Sequence, residues 1–289
     1  MKSPIPPGAA RFLRNPSALA ACTVLAALVF AAALAPFIAP QQPYDLAQLQ
    51  ILDAKLAPGS VGVAGHVYWL GTDEQGRDLL SAVLYGLRVS LAIAGAATAI
   101  GLAIGTALGI TSAYAGGRVD DAIMRVVDLQ LSFPSILIAL ILLAALGEGL
   151  DKIVLALVCA QWAYYARTAR SAALAERRKE YVEAARALGY SHARIAFRHI
   201  LPNCAAPLIV VATAQIAHAI ALEATLSFLG LGVPVTSPTL GMLVANGYPY
   251  LLGGRYWISF YPGLALLVTI AAFNIAGDRL AAALEVRSG

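Results

Sequence analysis

Charge is scarce in this sequence. Asp, Glu, Lys and Arg together make up 12% of its 289 residues, against about 25% in an ordinary soluble domain. A surface so poor in charge is not built to face water over most of its area, which excludes the soluble globular classes. Lysine is rarer still: Lys2, Lys55, Lys152 and Lys179 are all there are, and none follows a glycine. A phosphate-binding loop ending in Gly-Lys-Ser or Gly-Lys-Thr is therefore missing, and no ATP chemistry of the chain's own is expected. The three cysteines, Cys22, Cys159 and Cys204, lie in or beside apolar runs without metal-ligand spacing, so they read as small buried hydrophobes and not as a disulfide framework. His66, His192, His199 and His218 are scattered and make no ligand cluster. Metalloprotease and nucleophile-elbow patterns are missing as well. No catalytic residue, metal or cofactor is expected, and the chain by itself is not an enzyme.

What fills the sequence instead is apolar: 60% of residues are hydrophobic and the mean hydropathy is +0.74. A membrane-spanning helix needs about 20 mostly apolar residues, and six runs approach that length: 18–39, 89–113, 129–146, 153–166, 205–229 and 257–276. The expected fold is all-α, a polytopic membrane helical bundle with six transmembrane helices. Asp128, Gln130 and Pro134 interrupt the third run, and the fourth is short. The first run is longer than the roughly 7–15 residues of a cleavable signal and reads as an uncleaved helix.

Net charge is +4, but it is distributed as membrane topology demands. Fifteen of the twenty Lys and Arg residues fall in segments on one side if both termini share that side, and five fall on the other. The positive-inside rule places the fifteen, and both termini, in the cytoplasm. No basic stripe with interleaved aromatics is present, so a nucleic-acid partner is not expected; membrane lipid is. Two long extracytoplasmic loops follow, 40–85 and 230–256, each a surface for something outside to meet.

Three patterns stand out against this background. Gly101, Gly105 and Gly109, four apart, lie on one face of the second run and let another backbone approach closely. On the basic side, segment 167–203 carries Tyr181, Ala184, Ala185 and Leu188 at the i, i+3, i+4, i+7 spacing of an apolar helical stripe, flanked by Glu180, Glu183 and Arg186. Gly189 stands where a helix-ending glycine would, and Pro202 marks the return to the membrane. Such a segment is either a docking surface or an amphipathic helix resting on lipid headgroups. Finally, Gln215, His218 and Glu223 share an arc of the fifth run; they are candidate path-lining residues or bonds between helices, and Gln161 and Asn274 read the same way.

Glu183-Ala184-Ala185-x-x-x-Gly189 followed by Ile200-Leu201-Pro202 resembles the EAA loop of permease subunits in bacterial ATP-binding-cassette importers. Further motifs are similar to the dipeptide/oligopeptide/nickel branch, and to its C-type permease in particular: Leu70-Gly71-Thr72-Asp73-x-x-Gly76-Arg77-Asp78, Gly116-Gly117-x-x-Asp120, Arg125-x-x-Asp128, and Leu226-Ser227-Phe228-Leu229-Gly230-Leu231-Gly232. The sequence departs from the pattern at His199, where the general motif has isoleucine, at Leu240, where tryptophan is usual, and at Ala281-Ala282-Ala283 in the tail. The resemblance implies a type I importer permease fold. Residues 1–85 would hold the N-terminus, first helix and long periplasmic loop, and residues 86–285 the permease domain with its coupling loop 167–203. It implies an inner-membrane, multi-pass location and four kinds of contact: a second permease subunit, two cytoplasmic ATP-binding subunits, a periplasmic substrate-binding protein, and lipid. Glu183, Ala184, Ala185, Gly189, Ile200, Leu201 and Pro202 would then be the ATPase-coupling residues. Peptide is the expected cargo, with nickel or another small solute as the alternative, and an ion-coupled secondary transporter or a purely structural subunit further behind.

Overall fold

The computed structural model describes residues 12, 15–45, 49–233, 237 and 239–285, the last by its backbone alone. Lys2, Arg11, Arg14 and Arg287, which entered the charge count, lie outside the described residues, as do Pro234 and Pro238 of the second loop.

Helix α1 (Pro16–Ile38) starts where Asn15 accepts the backbone N–H of Ser17 at 3.0 Å and Pro16 supplies a preset φ at the first helical position. It is apolar all round, and its alanines Ala18, Ala21, Ala32 and Ala35 are its buried contacts, against α2 and the last helix. Helix α2 (Leu79–Ala115) has 37 residues. At 1.5 Å per residue it is about 55 Å long, well beyond a hydrocarbon core of about 30 Å, so it reaches out of the membrane. Its start is fixed by Asp78, whose carboxylate accepts the Ser81 N–H at 2.8 Å and the Ser81 hydroxyl at 2.5 Å.

Helix α3 (Gly117–Leu131) and helix α4 (Ser135–Leu146) meet at a bend of 89°. Pro134 sits at the break; its ring disfavours helical geometry in the residue before it and removes a backbone donor. The run 129–146 is therefore not one straight helix but the end of an amphipathic helix joined to an apolar one. Helix α5 (Leu150–Glu176) contains the fourth apolar run, yet it is not among the helices apolar enough to cross a membrane on composition alone. It carries Asp151, Lys152, Arg167, Arg170 and Glu176 near its ends, and it buries its face on protein where a lone span would meet lipid. Four described helices satisfy that test, five if the bent pair counts as one span.

Helix α6 (Glu180–Ala187) is followed by a turn at His192–Arg194, a π-turn at Ile195–Ile200 and a 3-10 turn at Leu201–Cys204, which lead straight into α7 (Ala205–Phe228). Helix α8 (Leu240–Gly247) is short, and α9 (Trp257–Glu285) completes the bundle.

Helices α2 and α5 cross at backbone distance. A Cβ on Gly105 would fall on the Trp162 carbonyl and 2.9 Å from the Ala166 nitrogen, and one on Gly109 would fall on the Ala166 carbonyl and 2.9 Å from the Arg170 nitrogen. The glycine ladder is thus a packing seam, in which van der Waals contact replaces the hydrophobic drive that lipid removes. Around it lies an apolar core that includes Ile93, Ala97, Leu143, Leu157, Ile220 and Leu226.

The two ends of the bundle differ. At the hairpin end, residues 40–45 and 49–78 fold over the helix ends around a two-stranded antiparallel pair, β1 (Ser60–Val61) and β2 (Val67–Tyr68). Buried Asp53 accepts the Tyr68 hydroxyl and the Val63 N–H, each at 2.9 Å. Burial, then the Asp53 hydrogen bond, pushes the Tyr68 hydroxyl up to about 12. Asp73 and Arg77, both 2% exposed, pair at 2.6 Å, and the Trp257 indole N–H reaches the Thr72 carbonyl at 3.4 Å. The Leu70–Asp78 motif is therefore a cap that sets where α2 begins. The other end, called the basic end here, carries the C-termini of α2 and α5 together with α6.

Candidate functional site

At the basic end, α6 lies across the ends of α2 and α5. Its inward face is Val182 and Ala185, which join Ile110, Ala113, Ala169, Ala173, Ile195 and Ile200 in a second apolar cluster. Its outward face is Tyr181, Ala184 and Leu188, with Tyr181 37% and Leu188 70% exposed. The stripe expected from spacing is thus divided: Ala185 turns inward, and the other three face out. Val182, three residues before Ala185, was the missing half of the inward signal.

The end of α6 is built by Gly189. Its φ is +72°, a left-handed conformation that costs other residues about 1–2 kcal/mol. The Gly189 N–H donates to the Arg186 carbonyl at 2.9 Å and the Tyr190 N–H to the Ala185 carbonyl at 3.2 Å, the paired bonds of a Schellman cap. The chain then reverses into the His192–Cys204 turns, where the stacked rings of Tyr190 and His199 lie 5.6 Å apart with Arg194 4.1 Å above Tyr190.

Several bonds key this segment to the long helices. The Arg177 guanidinium donates to the Ala113 carbonyl at 2.7 Å, placing a cation on the C-terminal end of α2. Tyr114, on the last turn of α2, meets His192 Nδ1 at 2.8 Å. The Tyr181 hydroxyl donates to Glu176 Oε2 at 2.8 Å and accepts from Asn203 Nδ2 at 3.3 Å. Burial and the Glu176 bond push that hydroxyl up to about 12. Arg170 donates two bonds of 2.6 Å to the Asp120 carboxylate, joining α5 to α3, and Ser112 of α2 also donates to Asp120. Arg167 pairs with Asp128 beside it. These pairs were not singled out from sequence, although Asp120 and Asp128 stand in the quoted motifs.

The expected site residues are therefore brought into one body but play different parts in it. Glu183, Ala184 and Pro202 are exposed, Leu201 is half-buried, and Ala185 and Ile200 are buried supports. Gly189 is the cap.

The polar residues of α7 do not share a surface. His218 is exposed, its Nε2 3.1 Å from the Ser135 hydroxyl. Gln215 is buried, and its carbonyl receives Gln161 Nε2 at 3.4 Å. Glu223 is fully buried and accepts hydroxyl bonds from Ser90 at 3.1 Å and Ser227 at 2.7 Å. Asn274 is exposed.

Fold and site together define a multi-pass helical membrane protein whose basic end carries a rigidly keyed, outward-facing helix. Residues 105–288 match the family model of the binding-protein-dependent transport system inner membrane component, and residues 9–58 match the N-terminal transmembrane domain of oligopeptide transport permease C. The chain is 38% identical to the di/tripeptide transport system permease protein of Pseudomonas aeruginosa, over 95% of this chain and 89% of that one. It is 34% identical to the oligopeptide transport system permease protein of Bacillus subtilis, over 95% and 87% of the two chains. Among solved structures, the inward-facing MetNI methionine ABC transporter superposes with a TM-score of 0.57 at 21% identity, covering 70% of this chain and 96% of that one, a likeness of fold. The chain belongs to the inner-membrane permease family of binding-protein-dependent ATP-binding-cassette transporters.

Proposed function

We propose that this chain is one of two permease subunits lining the path of an importer for di- and oligopeptides, with its basic end and both termini in the cytoplasm. The peptide cargo is supported by the names of its relatives and by the match to the oligopeptide permease N-terminal domain. Two cytoplasmic ATP-binding subunits drive it, and an extracytoplasmic binding protein delivers substrate to the hairpin end.

The observation that carries the mechanism is the division of α6. Val182 and Ala185 fasten it to the ends of α2 and α5, while Tyr181, Ala184 and Leu188 stay outside. A shallow apolar face with exposed Glu183 beside it suits a cleft on an ATPase subunit, with charge setting the register. Because the inward face is packed and the Gly189 cap is rigid, a push on α6 moves α2 and α5 as bodies. Ala185, Gly189 and Ile200 act as supports, whereas Glu183, Ala184 and the turn at Leu201-Pro202 meet the partner.

The test is reconstitution with the partner subunits, measuring labelled dipeptide uptake and ATP hydrolysis together. Leu188→Asp and Glu183→Arg should insert and fold yet lose most uptake per ATP hydrolysed. Gly189→Val should act likewise, whereas Gly189→Asn, which tolerates left-handed geometry, should retain function. Normal uptake by Leu188→Asp and Glu183→Arg would overturn the docking assignment.

A further inference from the structure

Glu223 has no part in the coupling segment, yet it is fully buried near the hairpin end. Two chains of hydrogen bonds tie it to neighbouring helices. The Leu240 N–H can only donate, so at 3.2 Å the Ser90 oxygen accepts it, and the Ser90 proton is left for Glu223 Oε2 at 3.1 Å. The Met242 N–H donates to Thr239 Oγ1 at 3.2 Å; the Thr239 proton goes to Ser227 Oγ at 3.3 Å, and the Ser227 proton to Glu223 Oε1 at 2.7 Å. A hydroxyl has one proton to give. Both relays connect backbone amides in the first turn of α8 to the two oxygens of one carboxyl group. Each oxygen accepts from a hydroxyl, so both are held in place.

Packing holds the same helix at the same place. A Cβ on Gly241 of α8 would fall on the Ala224 backbone, the residue next to Glu223, and one on Gly86 of α2 would lie 3.3 Å from the Leu240 nitrogen. At its far end, a Cβ on Gly247 would fall on the Ser259 nitrogen of α9. Helix α8 is thus wedged among α2, α7 and α9 at backbone distance, and Glu223 joins three of these four helices chemically. One of them is α2, whose opposite end carries Ala113 and Tyr114 and so the whole coupling segment.

We infer that Glu223 is a positioning residue for transport, not a path-lining group: through Ser90 and through Ser227–Thr239 it locks α8 to α2 and α7, so that the hairpin end moves with the coupling segment. The inference rests on the importer reading but not on the cargo. Breaking either relay leaves the glycine packing in place and loosens the first turn of α8. Events at the basic end then no longer reach the hairpin end faithfully.

The experiment uses the complete transporter, full chain with its partner subunits, in proteoliposomes with labelled dialanine inside-accumulation and ATP hydrolysis as readouts. Glu223→Gln keeps the shape but turns one acceptor into a donor. Thr239→Val keeps the shape and removes one hydroxyl, and Thr239→Ser keeps the hydroxyl. Glu223→Gln and Thr239→Val should assemble with basal ATP hydrolysis unchanged, while the stimulation of hydrolysis by binding protein falls about tenfold, the scale of a lost hydrogen bond. Thr239→Ser should match the parent. Unchanged stimulation in Glu223→Gln and Thr239→Val overturns the inference, and so does failure of both to assemble, which would make the cluster a matter of folding alone. A parent transporter that hydrolyses ATP on binding-protein addition but accumulates no dialanine would count against peptide cargo, and the stimulation readout would still decide the role of Glu223.

Discussion

The two ends of the bundle hold their short helices by opposite means. At the basic end, α6 rests on a small apolar cluster and is tied by bonds from exposed or half-exposed groups: Tyr181 to Glu176, Tyr114 to His192, Arg177 to the Ala113 carbonyl. At the hairpin end, α8 is gripped by glycine contacts and by a buried cluster that ends on Glu223. Surface bonds are individually weak and screened by salt, whereas a buried polar group that loses its partner is costly. One helix is thus held on an exposed face and the other largely within the bundle.

Substitutions can break that comparison, and the largest effect belongs to the seam joining the two ends. Gly105→Leu would drive a side chain into the Trp162 and Ala166 backbone; overpacking of about 3 kcal/mol or more is expected, read as loss of assembled protein in detergent-based thermal unfolding. Next is Asp120→Ala, which strands the Arg170 guanidinium that now makes two bonds of 2.6 Å. With both groups partly exposed, a cost of about 1–2 kcal/mol is expected, and the exchange Asp120→Arg with Arg170→Asp should recover part of it.

Smaller effects sharpen the contrast. Lys179→Ala removes an exposed pair with Glu176 and should change stability by about 0.5 kcal/mol or less, with any effect fading in high salt. The Tyr181 hydroxyl has its pH range displaced from 10.0 to about 12. A group raised on folding contributes fully below its unfolded pKa and loses that contribution as pH rises through the folded one. The Tyr181 tether should therefore hold below pH about 10 and weaken toward pH about 12, followed by ultraviolet titration of parent and Tyr181→Phe.

Local patterns were readable in the sequence because they are short-range. The glycine ladder of α2 announced a backbone seam, and Gly189 announced a helix end, since each depends on a spacing of a few residues. Segment 180–189 was found for the same reason, but its phase was taken from Tyr181 and Leu188, and the one inward valine was passed over. The bend at Pro134 was hinted at by an interrupted run; its 89° angle was not. Helix α5 was recognised only in part, because apolarity finds helices that face lipid and α5 faces protein. Least readable was the cluster at Glu223. Its partner Ser90 is 133 positions away in the chain, and α8, at eight residues, leaves no periodic trace. An arc on a helical wheel grouped Glu223 with His218, but a wheel records direction and not which neighbour stands there.

The π-turn at Ile195–Ile200 fits one more residue into a helical turn than an α-helix would. Each residue advances a helix by about 100°, so this extra position sets the rotational phase between α7 and everything that precedes it. Deleting a single residue there would leave composition and hydropathy almost untouched. Ile195 would nonetheless swing out of the cluster it shares with Val182, and α6 would face a different direction. The length of this turn thus sets the clocking of α6 against α7.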